Sequence, residues 1–214
     1  MDLIENLIVS GYLKTPRIIE AFKRIKRRDF LPKNLADRET RAELDEAIPI
    51  GFGQTISQPA VVAFMLELLD PQPGQKILDI GFGSGWTTAL LAHIVSAGGA
   101  AGKVVAIERI AALTIFGKAN ISRYNFINRM VARCITSDGT RGYWPNAPYD
   151  RILASAASSS IPKTWIKQLK AGGIIVAPQK NAIVKITKFS SDKIIQEQFE
   201  GFVFVPLVQD TEKF

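Results

Sequence analysis

Residues 76–85 read KILDIGFGSG, and the architecture of the chain is decided there. Lys76 to Ile80 is a short, largely apolar run of the kind that forms a buried parallel strand, and Trp86 to Val95 (WTTALLAHIV) has the length and composition of a helix. Between them glycine recurs at every second position: Gly81, Gly83 and Gly85. Glycines spaced in this way at a strand-to-helix turn let the backbone approach a ligand closely, with the helix N-terminus facing it. The alternative is a tight turn whose glycines serve packing alone. A dinucleotide-binding turn would also need glycine at the sixth position, and Trp86 stands there.

Outward from this loop the chain alternates. Lys103 to Glu108 (KVVAIE) reads as a strand, Ala111 to Ile121 as a helix, and Met130 to Ile135 and Tyr149 to Ser155 as strands. Pro162 to Leu169 reads as a helix and Ile174 to Pro178 as a strand. Strands alternating with helices predict a doubly wound, mostly parallel, Rossmann-like α/β sheet with helices on both faces. Ile183 to Phe189 and Phe202 to Leu207 are two strand-like runs with no helix between them, so an antiparallel pair is expected at one edge. Upstream, Thr15-Pro16 marks a helix start, with Ile18, Ile19, Phe22 and Ile25 on its apolar face and its basic residues outward. That helix should stop near Phe30-Leu31-Pro32. Residues 33–58 lack a pattern and include AIPIGFGQTISQP; a long unpatterned stretch in a compact domain is often functional. Ala60 to Leu69 is again dense enough in apolar residues for a buried helix.

The acids at the strand ends carry the chemistry. Glu108 closes the strand after the glycine helix, where nucleoside-binding sheets hold ribose hydroxyls on a carboxylate. Its alternative role is a surface pair with Arg109 or Lys103. Asp138-Gly139 follows the next strand at its ligand-facing end, and a plain turn is the alternative there. Asp79, Glu108 and Asp138 thus fall at the ends of three successive strands, and all three are expected to face one crevice.

Composition excludes several classes. With one cysteine (Cys134) among 214 residues, the chain can form no intramolecular disulfide and no cysteine-based metal cluster, and its single histidine, His93, sits inside the expected helix TALLAHIV, where a partly buried helix residue is a commoner role than a catalyst. No run approaches the ~20 apolar residues of a membrane helix, and MDLIENLIVSG has acids where a signal peptide carries positive charge. A reducing cytoplasm is the expected compartment. The net charge of +7 includes Lys23, Arg24, Lys26, Arg27 and Arg28 in one cluster, which could draw nucleic acid or an acidic peptide, or be a solvated helix face.

The GxGxG loop preceded by Asp79 resembles the first motif of the S-adenosylmethionine-dependent methyltransferases. IGFGQTISQP at 50–59, IER at 107–109, SDGTRGYWPNAPYDRI at 137–152, Ala156-Ala157 with Ile161-Pro162, QLKAGG at 168–173 and FVPL at 204–207 add a more specific likeness. In that order they resemble the protein-L-isoaspartate O-methyltransferases over nearly the whole length, with FLP at 30–32 resembling the family's N-terminal region. GQTISQP is the most diagnostic piece, because general methyltransferases share the glycine loop and not this stretch.

The resemblance implies a methyltransferase fold and a repair enzyme that transfers a methyl group from S-adenosyl-L-methionine to the α-carboxylate of L-isoaspartyl residues in damaged proteins or peptides. The ester then cyclises to a succinimide unaided. By matched motif, Ser57 takes the place of the family's active-site serine and Gln54, Thr55, Ile56 and Ser57 that of a loop closing over cofactor and substrate. Asp79, Gly81, Gly83, Gly85, Glu108, Asp138 and Gly139 would form the cofactor site. Ser57 has a second reading as the N-cap of the helix beginning at Pro59. A carboxylate with a reference pKa near ~4 is already ionised at neutral pH, so this chemistry needs no general base.

One domain is expected over 1–214, with 1–58 as N-terminal helices and a closing loop, and 59–214 as the Rossmann-like core. No metal, no membrane and no nucleic-acid partner is expected, and the chain is expected to act as a monomer. The sequence departs from the family pattern at Phe52, at Ser137, at Gln179-Lys180 and in the long loop Ser96 to Gly102. Phe52 and Gln179-Lys180 keep open the same cofactor with another carboxylate or protein acceptor, and the basic helix keeps open a nucleic-acid-associated protein.

Overall fold

A computed structural model of the chain describes residues 2–191 and 193–208. The N-terminal part begins with helix α1 (Leu3–Val9), held by a reciprocal capping box between Asp2 and Glu5. Helices α2 (Pro16–Arg24) and α3 (Arg38–Ala42) follow, and then a hairpin of two short strands, β1 (Ile48–Gly51) and β2 (Gln54–Ile56). Residues 33–58 are therefore structured where the sequence shows no pattern.

The core alternates as expected through α4 (Pro59–Leu69), β3 (Lys76–Ile80), α5 (Trp86–Val95), β4 (Lys103–Glu108), α6 (Ala111–Ser122), β5 (Ala132–Thr136) and β6 (Tyr149–Ala154). It ends with α7 (Lys163–Gln168), β7 (Leu169–Gln179), β8 (Ala182–Lys188) and β9 (Ile194–Glu200).

These strands build one seven-stranded sheet in the order β5-β4-β3-β6-β7-β8-β9. Its first four pairings are parallel and its last two antiparallel. The chain runs outward from β3 through β4 to β5 and then returns to pair β6 on the other side of β3. The strand order reverses there, and a crevice opens at the carboxyl ends of β3, β4 and β6. Helices cover the two faces unequally. One face carries α2, α4, α5 and α6 on the larger apolar cluster, which also takes in Leu3, Leu7 and Leu13 and so joins the N-terminal part to the core. The other face packs Leu78, Ile80, Val105, Ile107, Ile152 and Ile175 under α7, whose Trp165 is fully buried.

The C-terminal pairing corrects the sequence reading. The edge strand is Ile194–Glu200, a polar stretch, and Phe202 to Leu207 is not a strand. The latter is extended and joined to the rest by a parallel bridge between Ala157 and Pro206, in which the Ala157 amide donates to Val205 O (2.8 Å). Phe202 is partly buried and stacks on Phe64 of α4 at 5.3 Å between ring centroids, while Val203 is exposed. Among the described residues no helix is long and apolar enough to cross a membrane.

Candidate active site

At the reversal point lies a cavity of about 370 Å³, within the range of small-molecule sites. Ile80, Gly81, Gly83, Glu108, Gly139 and Ala156 line it from the sheet, and Gln54, Thr55, Ile56 and Ser57 from the hairpin. Of the residues assigned to the site from sequence, eight therefore meet at one cavity.

Glu108 is nearly buried and its carboxylate holds the loop in shape. Oε2 accepts from the Gly83 amide (3.1 Å) and Oε1 from the Ile110 amide (2.9 Å). A carboxylate has about four acceptor positions, so each oxygen keeps capacity for a ligand hydroxyl. The Lys103 amine donates to Met130 O (2.7 Å) and not to this carboxylate.

The three loop glycines divide their work. Gly81 (φ +77°) and Gly83 (φ +48°) border the cavity. Gly85 (φ +88°) does not: a Cβ there would sit 2.8 Å from Gly117 O and 2.8 Å from Ile121 Cγ1, so its small size lets α5 pack against α6. Two of the loop glycines thus border the cavity and the third serves packing. Gly139 lines the cavity and also packs, since a Cβ would stand 2.5 Å from Ile80 Cγ2.

Of the three strand-end acids expected to face the crevice, only Glu108 lines it. Side chains alternate along a strand, and Asp79 shares its parity with Ile77, which belongs to the cluster under α5. Its Oδ2 accepts from the Thr88 hydroxyl of α5 (2.6 Å), its Oδ1 is buried without a partner, and burial pushes the carboxyl up to about 7. Asp138 is also buried and acts as a cap, Oδ1 accepting from the Thr140 amide and hydroxyl (both 2.8 Å). Asp79 and Asp138 shape the ground beneath the cavity.

Ser57 lies on the cavity wall between β2 and α4, and the structure removes its alternative role. The N-cap of α4 is Gln58 and makes no side-chain cap bond. The free helix amide of Ala60 is instead capped by Asp45 Oδ1 (2.8 Å), while Asp45 Oδ2 accepts from the Gln58 side chain (3.0 Å). Thr55 and Gln54 reach the cavity from a hairpin whose tip, Gly51-Phe52-Gly53, runs through three consecutive left-handed residues. Phe52 is exposed at that tip and is not part of the cavity lining. Gln179 ends β7, its Nε2 donating to Ser159 O, and Lys180 begins the β7–β8 turn; both lie off the cavity.

Two elements of the site escape a sequence reading. Residues 203–208 make one cavity wall, because an apolar run that borders a cavity looks the same in sequence as one that enters a sheet. Arg27 is 5% exposed, whereas its cluster neighbours Lys23, Arg24, Lys26 and Arg28 face solvent. Arg24 pairs with Glu20 and Arg28 with Glu39, so the cluster is not an unbroken cationic strip. Lone His93 is half-buried on α5 and burial lowers its pKa; Cys134 is a part-buried β5 residue whose thiol burial pushes up to about 12. Among the described residues no three His, Cys, Asp or Glu side chains are grouped to hold a metal ion.

A mostly parallel sheet with a glycine loop at its reversal point and a cavity-lining acid at the end of the next strand is the architecture of the class I methyltransferases. The chain belongs to the protein-L-isoaspartate(D-aspartate) O-methyltransferase family, whose sequence profile matches residues 1–212. A protein-L-isoaspartate O-methyltransferase of Methanopyrus kandleri is 40% identical over 210 residues, covering 96% of this chain and 89% of the relative. One from Methanococcus maripaludis is 39% identical over 97% of this chain and 95% of its own. A crystal structure of a putative enzyme of this kind from Plasmodium falciparum, in complex with S-adenosyl-L-homocysteine, superposes with a TM-score of 0.85 at 22% identity over 97% of each chain, which shows a shared fold.

Proposed function

We propose that the chain is an S-adenosylmethionine-dependent repair enzyme that methylates the α-carboxylate of L-isoaspartyl residues in damaged proteins. The observation that carries the reading is the meeting of the GQTIS segment with the glycine loop and Glu108 at one cavity, in a chain of this family. S-adenosylmethionine supplies an activated methyl group; Glu108, Gly81, Gly83 and Gly139 are the residues that would hold it. Their fit is supported by the position of Gly81 and Gly83 on the cavity lining and by the spare acceptor capacity on Glu108.

The lining suits a nucleophile that arrives already ionised. Among the described residues it contains no histidine and one acid, Glu108, each of whose oxygens already accepts an amide. Rate then depends on alignment and on exclusion of water, which the hairpin on one side and residues 203–208 on the other provide. Ser57 is assigned to orient the acceptor carboxylate through its hydroxyl. The enzyme is taken to work as one domain and one copy, since the cavity is walled by residues of the chain itself, and the lone Cys134 suits the cytoplasm.

The acceptor-switched alternative loses support, because Phe52, Gln179 and Lys180 lie off the cavity. The test is mass spectrometry of an L-isoaspartyl peptide incubated with enzyme and S-adenosylmethionine. A base-labile methyl ester, decaying to the succinimide, is expected; a stable methyl adduct elsewhere on the peptide would overturn the assignment.

A further inference from the structure

Arg27 is a buried cation without a carboxylate. Among the described residues no acid stands within ion-pair distance, and every hydrogen bond of its guanidinium goes to a main-chain carbonyl. Nη1 donates to Leu44 O (3.0 Å), with longer approaches to Ala42 O and Arg41 O; Nη2 donates to Glu46 O (2.6 Å) and to Ser57 O (3.2 Å). The group lies over the ring of Trp86, 5.5 Å from its centroid. Trp86 is itself fixed, edge-on against Phe22 and with Nε1 donating to Ile25 O, and it lines the cavity.

We propose that Arg27 is a positioning residue for methyl transfer: its two-pronged guanidinium, seated on Trp86, ties the segment before the hairpin to the Ser57 carbonyl and so sets the angle at which Ser57 enters the cavity. This rests on the function proposed above. The tie spans both ends of the closing element, because residues 44–46 precede β1 and Ser57 follows β2. One planar fork reaches carbonyls on both; the point charge of lysine cannot. Residues 44–46 are also fixed through Asp45, which caps α4, so the hairpin's two roots share one anchor. Burial lowers the Arg27 pKa to about 10, against the pull of Asp45, Glu46 and Glu43, which leaves it charged at neutral pH. A buried, charged group in this position is costly unless its donors are satisfied. The carbonyls it collects satisfy them all except Nε.

The experiment compares wild type with Arg27→Lys, normalising turnover to sites that bind S-adenosyl-L-homocysteine. The expected result is an affinity for that ligand within about threefold of wild type and a kcat on an isoaspartyl peptide lowered about tenfold or more. In Arg27→Ala, low-millimolar methylguanidinium should restore part of kcat and methylammonium should not. A purely structural role would reduce the number of binding sites and leave kcat per site unchanged, and that result would overturn the proposal. Because either variant could fail to fold, the wild type gives its own readout by NMR. Arg27 Nη protons should be resolved, slow to exchange, and shifted when peptide joins S-adenosyl-L-homocysteine. Freely rotating, fast-exchanging protons would refute the tie. Wild type that methylates no isoaspartyl peptide, yet shows these slow protons, would sink the proposed function and not the tie.

Discussion

Replacing Glu108 by glutamine removes one acceptor and little else, and the structure sets the size of the effect. The carboxylate accepts the Gly83 and Ile110 amides, one on each oxygen. Glutamine keeps a single oxygen, so its NH₂ must face one of the two amides, leaving that donor buried and unpaired. The loss for a hydrogen bond to a charged group is about 1.5–3 kcal/mol, or roughly 10- to 150-fold in affinity for S-adenosyl-L-homocysteine. Part of the penalty falls on the loop itself and lowers the melting temperature by about 2–4 °C per kcal/mol. Calorimetry on wild type and Glu108→Gln, with the parent ligand and with an analogue lacking the ribose hydroxyls, separates the two parts. If Glu108 holds the ribose, the variant's loss shrinks for the analogue, as a coupling between the two changes requires. Equal affinity of both proteins for the parent ligand would refute the assignment of Glu108 to the site. An undiminished loss with the analogue would restrict Glu108 to shaping the loop.

Ser57→Ala should lower turnover on the order of 10²-fold, the cost of one positioned donor at other sites, with an unchanged melting curve because Asp45 and not Ser57 caps α4; early melting with normal turnover would reverse the two roles. Gly85→Ala combines a left-handed backbone with a Cβ 2.8 Å from Gly117 O and should destabilise by about 2–5 kcal/mol in a denaturant titration, a neutral result excluding the tight α5–α6 contact. Burial raises Asp79 from 3.8 to about 7, so the native state binds the extra proton: the contribution of this one group to stability is fully present below pH ~4 and is lost as pH rises toward ~7, by about 4 kcal/mol at most. Asp79→Asn lacks this titration, and its stability should vary less than wild type between those limits; parallel pH curves would place Asp79 in a wetter site.

How much of this was readable beforehand follows from where the information resides. The strand Lys103–Glu108 and the glycine turn depend on local pattern and backbone freedom, and both stand as the sequence implies. Asp79 does not, because which face of β3 it takes is decided by the packing of α5, and a strand-end position alone cannot specify it. The edge strand Ile194–Glu200 mixes polar and apolar residues without a clean alternation and is fixed by pairing with β8 and by Phe199 against Phe64, whereas Phe202 stacks on Phe64 and residues 203–208 border the cavity. Arg27 is one of three adjacent cations of like chemistry, and only the carbonyls of 44, 46 and 57, distant in sequence, distinguish it from its neighbours. The GQTIS segment was legible as a motif, while the hairpin that carries it required the antiparallel pairing of Ile48 with Ile56.

The central claim, a site built for the α-carboxylate of isoaspartate, is tested most directly by one paired assay. In an isoaspartyl residue the free carboxylate sits on the α-carbon, one methylene nearer the backbone than in aspartate. A site that holds the flanking backbone and aligns the carboxylate through Ser57 would displace a normal aspartyl group by more than an ångström, about a C–C bond length, enough to cost roughly 10²-fold in rate. Initial rates of label transfer from radiolabelled S-adenosyl-L-methionine to matched peptides, one with L-isoaspartate and one with L-aspartate, should therefore differ by at least that order in favour of isoaspartate. Equal labelling of the two peptides would contradict the account.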